Sequence, residues 1–229
     1  MMTTDNTLVV RAALESGGGA AESQLALIAS TGGDSQLQLV VENLTAAEIN
    51  VIVEEADMSK PSVAHAFISP AQFLEAFARL GSRWSRIDSI ESAGDYEGIQ
   101  HDVEDFLCPM ILATGDPDRI KLMITTLFEH PMGGEAVLFA ALEKKDYFEY
   151  MTAPGDYPIN RGTWQELLSV TREYHPSGYA EIEEQARAIY QDPEVGSLDF
   201  ANGFILGMLE EARKFHATEE APEEEFVDI

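Results

Sequence analysis

The residues with the clearest potential for chemistry lie in His101-Asp102-Val103-Glu104-Asp105. On a helix His101, Glu104 and Asp105 stand at i, i+3 and i+4, so one face would present an imidazole and two carboxylates, a donor set that suits a divalent metal in a hydrolase. Such a site needs further ligands from elsewhere, and Glu129-His130 or Glu135 are the obvious donors. The spacing is neither H-E-x-x-H nor a repeated E-x-x-H. The same stretch also reads as the solvated side of an amphipathic helix whose buried side is Ile99, Val103, Phe106 and Leu107.

A second constellation is Arg83-Trp84-Ser85-Arg86, the only compact basic and aromatic cluster. Trp84 could stack on a base while Arg83 and Arg86 meet phosphates, as on single-strand-binding surfaces. The competing reading packs Trp84 inward and pairs the arginines with nearby acids. A third lies in residues 218–229, where Glu219, Glu220, Glu223, Glu224 and Glu225 precede Phe226, Val227, Asp228 and Ile229. Carboxylates followed by the apolar anchors Phe226 and Ile229 suit a peptide that docks into a basic-rimmed hydrophobic groove. Acidic repulsion and Pro222 give the segment the expectation of disorder in isolation. In style it resembles the partner-recruiting tails of bacterial single-stranded-DNA-binding proteins, without their consensus ending, and no family follows from it.

The remaining features are weaker. Glu129-His130-Pro131-Met132-Gly133-Gly134-Glu135 reads as a helix stop, a turn and a helix start; its glycines lack a phosphate-loop pattern, and Glu129 and Glu135 would repel phosphate. Cys108, between Leu107 and Pro109, reads as a buried thiol with a raised pKa. No G-x-S-x-G elbow is present, and His65, His175 and His216 have no motif partner. A noncatalytic role is therefore expected, although a triad assembled in space leaves no such signature. No cofactor is expected.

The 229 residues contain 41 acidic and 14 basic side chains, for a net charge of −27. Residues 1–90 carry −6, residues 91–217 carry −15 and residues 218–229 carry −6, so the terminal segment alone does not explain the imbalance. A body this negative repels nucleic-acid phosphates and anionic membranes and attracts basic proteins. No segment reaches the apolar length of a membrane span, and the single cysteine excludes an intramolecular disulfide; a reducing, cytoplasmic setting is expected. The leading functional expectation is an acidic, noncatalytic regulatory protein that engages a basic partner, with a nucleic-acid-processing protein as the partner class. A single-stranded nucleic-acid-binding factor and a metal-dependent hydrolase are the alternatives. Self-association is compatible with each.

These groups need elements to position them. Period-2 runs in Thr7–Leu14, Ser23–Ser30 and Ser35–Leu44, separated by Gly17-Gly18-Gly19 and Gly32-Gly33-Asp34, predict consecutive antiparallel strands. A helix over Thr45–Asp57 follows, opened by a Thr45/Glu48 capping box, then an extended piece Val63–Ile68. The next helix has Ser69 as N-cap, Pro70 in its first turn and Gly81 as terminator. Residues 1–90 thus read as a βββαβα unit, and the chain as an α+β protein with a small N-terminal sheet. Residues 91–217 read as helical, with helices over Gly98–Ala113, Pro117–Glu129, Gly134–Phe148, Trp164–Tyr174, Gly178–Tyr190 and Leu198–His216, and Ser89–Gly98 as a boundary or surface loop. Gly203 and Gly207 suggest that the last helix closely approaches a neighbour.

Overall fold

The computed structural model describes residues 2–54, 60–85, 87, 93–142 and 159–219, and every regular element among them is helical. The α-helices are α1 (Met2–Leu14), α2 (Gly18–Gly32), α3 (Asp34–Glu42), α4 (Ala46–Val53), α5 (Pro70–Leu80), α6 (Ala93–Leu112), α7 (Pro117–Leu127), α8 (Gly133–Ala140), α9 (Trp164–Tyr174), α10 (Pro176–Ile189) and α11 (Pro193–Glu219). Two 3₁₀ turns, Val63–Ala66 and Gly81–Trp84, flank α5.

The expected N-terminal sheet is absent: its three strands are α1, α2 and α3, and the extended piece Val63–Ile68 begins with a 3₁₀ turn. The mainly helical fold replaces the α+β reading. The reason lies in which apolar residues are buried. A strand would put Leu37, Leu39 and Val41 on one face, yet Leu37 and Val41 are 2% and 0% exposed while Leu39 is 45% exposed. The buried set Leu37, Val40, Val41, Leu44 follows i, i+3, i+4, i+7, and Gly18, Ala21, Leu25, Ile28 follows the same period in α2. Leu8, Val9 and Leu27, which complete the apparent alternation, are exposed. The glycine runs are interhelical corners: Gly17 at φ 114° and Gly33 at φ 72° turn the chain where a side chain would be strained.

The local helix signals hold. Thr45 and Glu48 form the reciprocal capping box of α4. Ser69 and Gln72 form another at α5, and the Gln72 amide also donates to Val41 O and Leu44 O at 2.9 and 2.8 Å, tying α5 to the end of α3. Asp116 caps α7. At α9, Thr163 caps Gln165 N while Glu166 receives Gly162 N. The predicted helix end at Phe148 lies outside the described residues, as do residues 89–92 of the Ser89–Gly98 boundary; residues 93–98 of that boundary are not a loop but the first turns of α6.

Helices α1–α4 pack on one another, and α4 hands over to α5, which also contacts α7 and α11. Helix α6 packs on α7, α8, α9 and α11, while α10 bridges α8, α9 and α11. One connected core runs from Val10 to Leu209. Aromatic rings join its layers: Phe73 and Phe77 of α5 meet Phe106 of α6, and Phe204 of α11 stands between Trp84 and Phe139, with centroids at 6.2 and 4.5 Å. Gly81 ends α5 with ordinary helical dihedrals, and its value is proximity: a Cβ there would lie 2.2 Å from Met208 O of α11. The close approach of α11 is thus made at Gly81. Gly203 faces open space, and Gly207 accommodates the Met132 side chain.

Candidate functional site

Helix α6 carries His101, Glu104 and Asp105 as expected, with His101 and Asp105 exposed. Glu104 is half-buried and accepts the Trp164 amide at 3.1 Å, which ties α6 to the first residue of α9. Neighbouring Asp102 accepts Trp84 Nε1 at 3.0 Å. These carboxylates therefore hold elements together. His130 lies in the turn between α7 and α8, its ring edge-on to Phe77 at 4.9 Å and its Nε2 3.8 Å from Glu211 of α11. Among the described residues, no group of three His, Cys, Asp or Glu side chains is placed to hold a metal ion. Cys108 is buried, and burial first, then the carboxylates of Glu104, Asp105 and Glu166, push its thiol pKa well up.

Trp84 is 3% exposed. Its ring packs against Phe204 and its N–H is spent on Asp102, so both the face and the donor are taken up within the protein. Arg83 directs a guanidinium N–H to Asn50 O at 3.4 Å, and Arg86 lies outside the described residues. Of the acidic terminal segment, Glu219 is the last residue of α11; Glu220, Glu223, Glu224, Glu225, Phe226 and Ile229 lie outside the described residues.

The turn Glu129–Glu135 borders a feature that sequence alone did not reveal. A cavity of about 250 Å³ lies between this turn, α8 and α10, lined by Phe128, Glu129, His130, Glu135, Glu181 and Gln185 together with Pro131, Gly134, Gly178 and Ile182. Its wall is built from local rules. Pro176 opens α10, and His175 Nδ1 accepts Gly178 N at 3.1 Å as the N-cap. The His175 ring stacks on Phe128 at 4.2 Å, and a Cβ on Gly178 would fall 2.3 Å from Phe128 Cε1, so only glycine lets these groups meet. His130 Nδ1 accepts Met132 N at 3.1 Å, which leaves Nε2 protonated in the neutral ring and without a hydrogen-bond partner. Burial depresses the His130 pKa, opposed by Glu211 and assisted by Lys214. Burial raises that of Glu135. Glu129 and Glu135 were visible in sequence as a turn and helix start; Glu181 comes from two helices further on, and nothing local announced that it joins them.

The described residues thus form a helical protein with a connected core, a strongly anionic composition and a cavity lined by three carboxylates from three elements. No protein-family model, no curated protein and no solved structure matches it. None of its described helices is long and apolar enough to cross a membrane.

Proposed function

We propose that this chain is a noncatalytic acidic binding protein that engages a basic partner, with a nucleic-acid-processing protein as the partner class whose phosphate-binding groove its carboxylates would suit. The observation that carries this reading is how the scarce basic side chains are used. Arg11 pairs with Glu48 at 2.7 Å, Arg79 with Glu75 at 3.1 Å, Arg187 with Glu183 at 3.6 Å and Lys214 with Glu211 at 2.5 Å. Arg119 gives two hydrogen bonds to His65 O and Ile68 O, and Arg83 points at Asn50 O. Six of the 14 basic side chains are thus held by carboxylates or carbonyls of the fold itself, against 41 acids in the chain. A surface of that kind accelerates encounter with a basic protein, over a range of roughly 8–10 Å at physiological salt, and discourages nucleic acid itself.

The test is a pull-down with the full chain from a lysate of its source at low salt, eluted by a salt gradient and read by mass spectrometry, then repeated with the purified partner by calorimetry. A single basic protein bound stoichiometrically, with affinity that falls steeply as salt rises, is the expected result. Absence of a reconstitutable partner, or affinity indifferent to salt, would overturn the proposal. A chain lacking residues 218–229, run alongside, assigns the interaction to the helical body or to the acidic segment.

A further inference from the structure

We infer that the cavity between the α7–α8 turn, α8 and α10 receives the cationic end of a single arginine or lysine side chain presented by a basic protein partner; the inference rests on the reading proposed above and gives it a place on the molecule. Three carboxylates converge there from three separate elements: Glu129 from the turn, Glu135 from α8 and Glu181 from α10. Glu135 is half-buried and has no hydrogen-bond or ion-pair partner among the described residues, so its charge is desolvated without compensation. No cation is built into the wall. His130, whose side chain is nine-tenths buried, lines the cavity with its Nε2 3.8 Å from Glu211, and the nearby Lys214 is paired with Glu211.

Size and spacing select the occupant. The carboxylates are not grouped closely enough for a metal ion, which favours a cation that spreads its donors. The 250 Å³ volume falls below the roughly 300–1,000 Å³ typical of whole small-molecule ligands and suits one long side chain. The Phe128–His175 stack supplies an aromatic edge of the wall, against which the aliphatic stem of arginine or lysine packs, and a guanidinium fork matches carboxylates with two donors each. Glu129, Glu181 and Gln185 are exposed, so the mouth is open to a partner's surface.

The experiment titrates the ¹⁵N-labelled full chain with a blocked, glycine-flanked arginine peptide and with the same peptide carrying neutral citrulline. It is repeated on the Glu135→Gln/Glu181→Gln double variant and on Glu15→Gln, which removes an exposed charge at the end of α1. A polyarginine probe is run in parallel. Saturable shifts at the Gly134 and Gly178 amides with arginine but not citrulline, weakened about tenfold in the double variant and less than about twofold in Glu15→Gln, are expected. Because each substitution changes a net charge of −27 by one, a loss of that size reports the cavity and not the bulk field. If the double variant binds arginine or polyarginine as well as Glu15→Gln does, the cavity assignment is wrong while the acidic-binder reading stands. If neither probe binds the wild-type chain, both are overturned.

Discussion

Replacing Trp84 by Phe tests whether this indole is a structural anchor, and the structure sets the size of the effect. The substitution keeps a ring against Phe204 but removes the Nε1–H that Asp102 accepts at 3.0 Å. A hydrogen bond to a charged group contributes about 1.5–3 kcal/mol, and because Asp102 is half-buried the lower half of that range applies. The smaller ring leaves a partial void beside Phe204 that costs about 1 kcal/mol more. The expected loss is therefore about 2.5–3 kcal/mol, a large share of the roughly 5–15 kcal/mol that stabilises a typical domain. Urea unfolding followed by circular dichroism should show a lower midpoint at unchanged slope. A double-mutant cycle with Asp102→Ala should return a coupling energy of about 1 kcal/mol or more. A loss below about 0.5 kcal/mol, or zero coupling, would refute the argument and return Trp84 to the set of groups available for stacking on a base.

Three further outcomes follow from named contacts. Gln72→Ala removes the side-chain arm of the α5 capping box and both bonds to Val41 O and Leu44 O, while Ser69 still caps the main chain, and should cost about 2 kcal/mol in the same urea assay, whereas Gln38→Ala on an exposed face of α3 should change little. Gly81→Ala places a Cβ 2.2 Å from Met208 O, a main-chain atom that cannot rotate away, and should destabilise by about 3 kcal/mol. His65 is 2% exposed, and burial, helped by Arg119, lowers its pKa from 6.5 to about 4. Its folded form stays neutral where the unfolded chain takes up a proton, so stability is lost as pH falls from 6.5 toward 4, by about 3 kcal/mol at the lower end. His65→Gln should flatten that part of the pH profile, and an unchanged slope would exclude His65 as its source.

Legibility in the sequence divided along a physical line. Features decided within four residues were plain: the Thr45/Glu48 box, Ser69 as N-cap and Pro70 in the first turn, although the reciprocal arm from Gln72 was not read. Periodicity failed where aliphatic residues fill half or more of a short run, since Thr7–Leu14 and Ser35–Leu44 satisfy both a period of 2 and one of 3.6. Only burial separates the two, and burial is a tertiary property: Val40 and Val41 are enclosed by neighbouring helices while Leu39 is not. The cavity was hidden for the same reason. Glu135 and Glu181 are 46 positions apart, and the contact of α8 with α10 that unites them depends on Gly178 meeting Phe128.

The charge itself offers a way to separate a binding surface from a device for solubility, because the two respond to salt with different signs. A folded chain at −27 concentrates like charges relative to its unfolded form, and added salt screens that repulsion, so the free protein should melt at higher temperature as ionic strength rises. A complex with a basic partner is held by attraction across the interface, and the same salt should weaken it. Partner binding also relieves the repulsion within the acidic chain, so it should raise the melting temperature most at low salt, by an increment that shrinks as salt increases. A chain whose carboxylates serve only to keep it dissolved would show the first trend and lack the second. Opposed salt trends in the free and bound protein are therefore the signature that carboxylates such as Glu135 and Glu181 are there to be neutralised by another molecule.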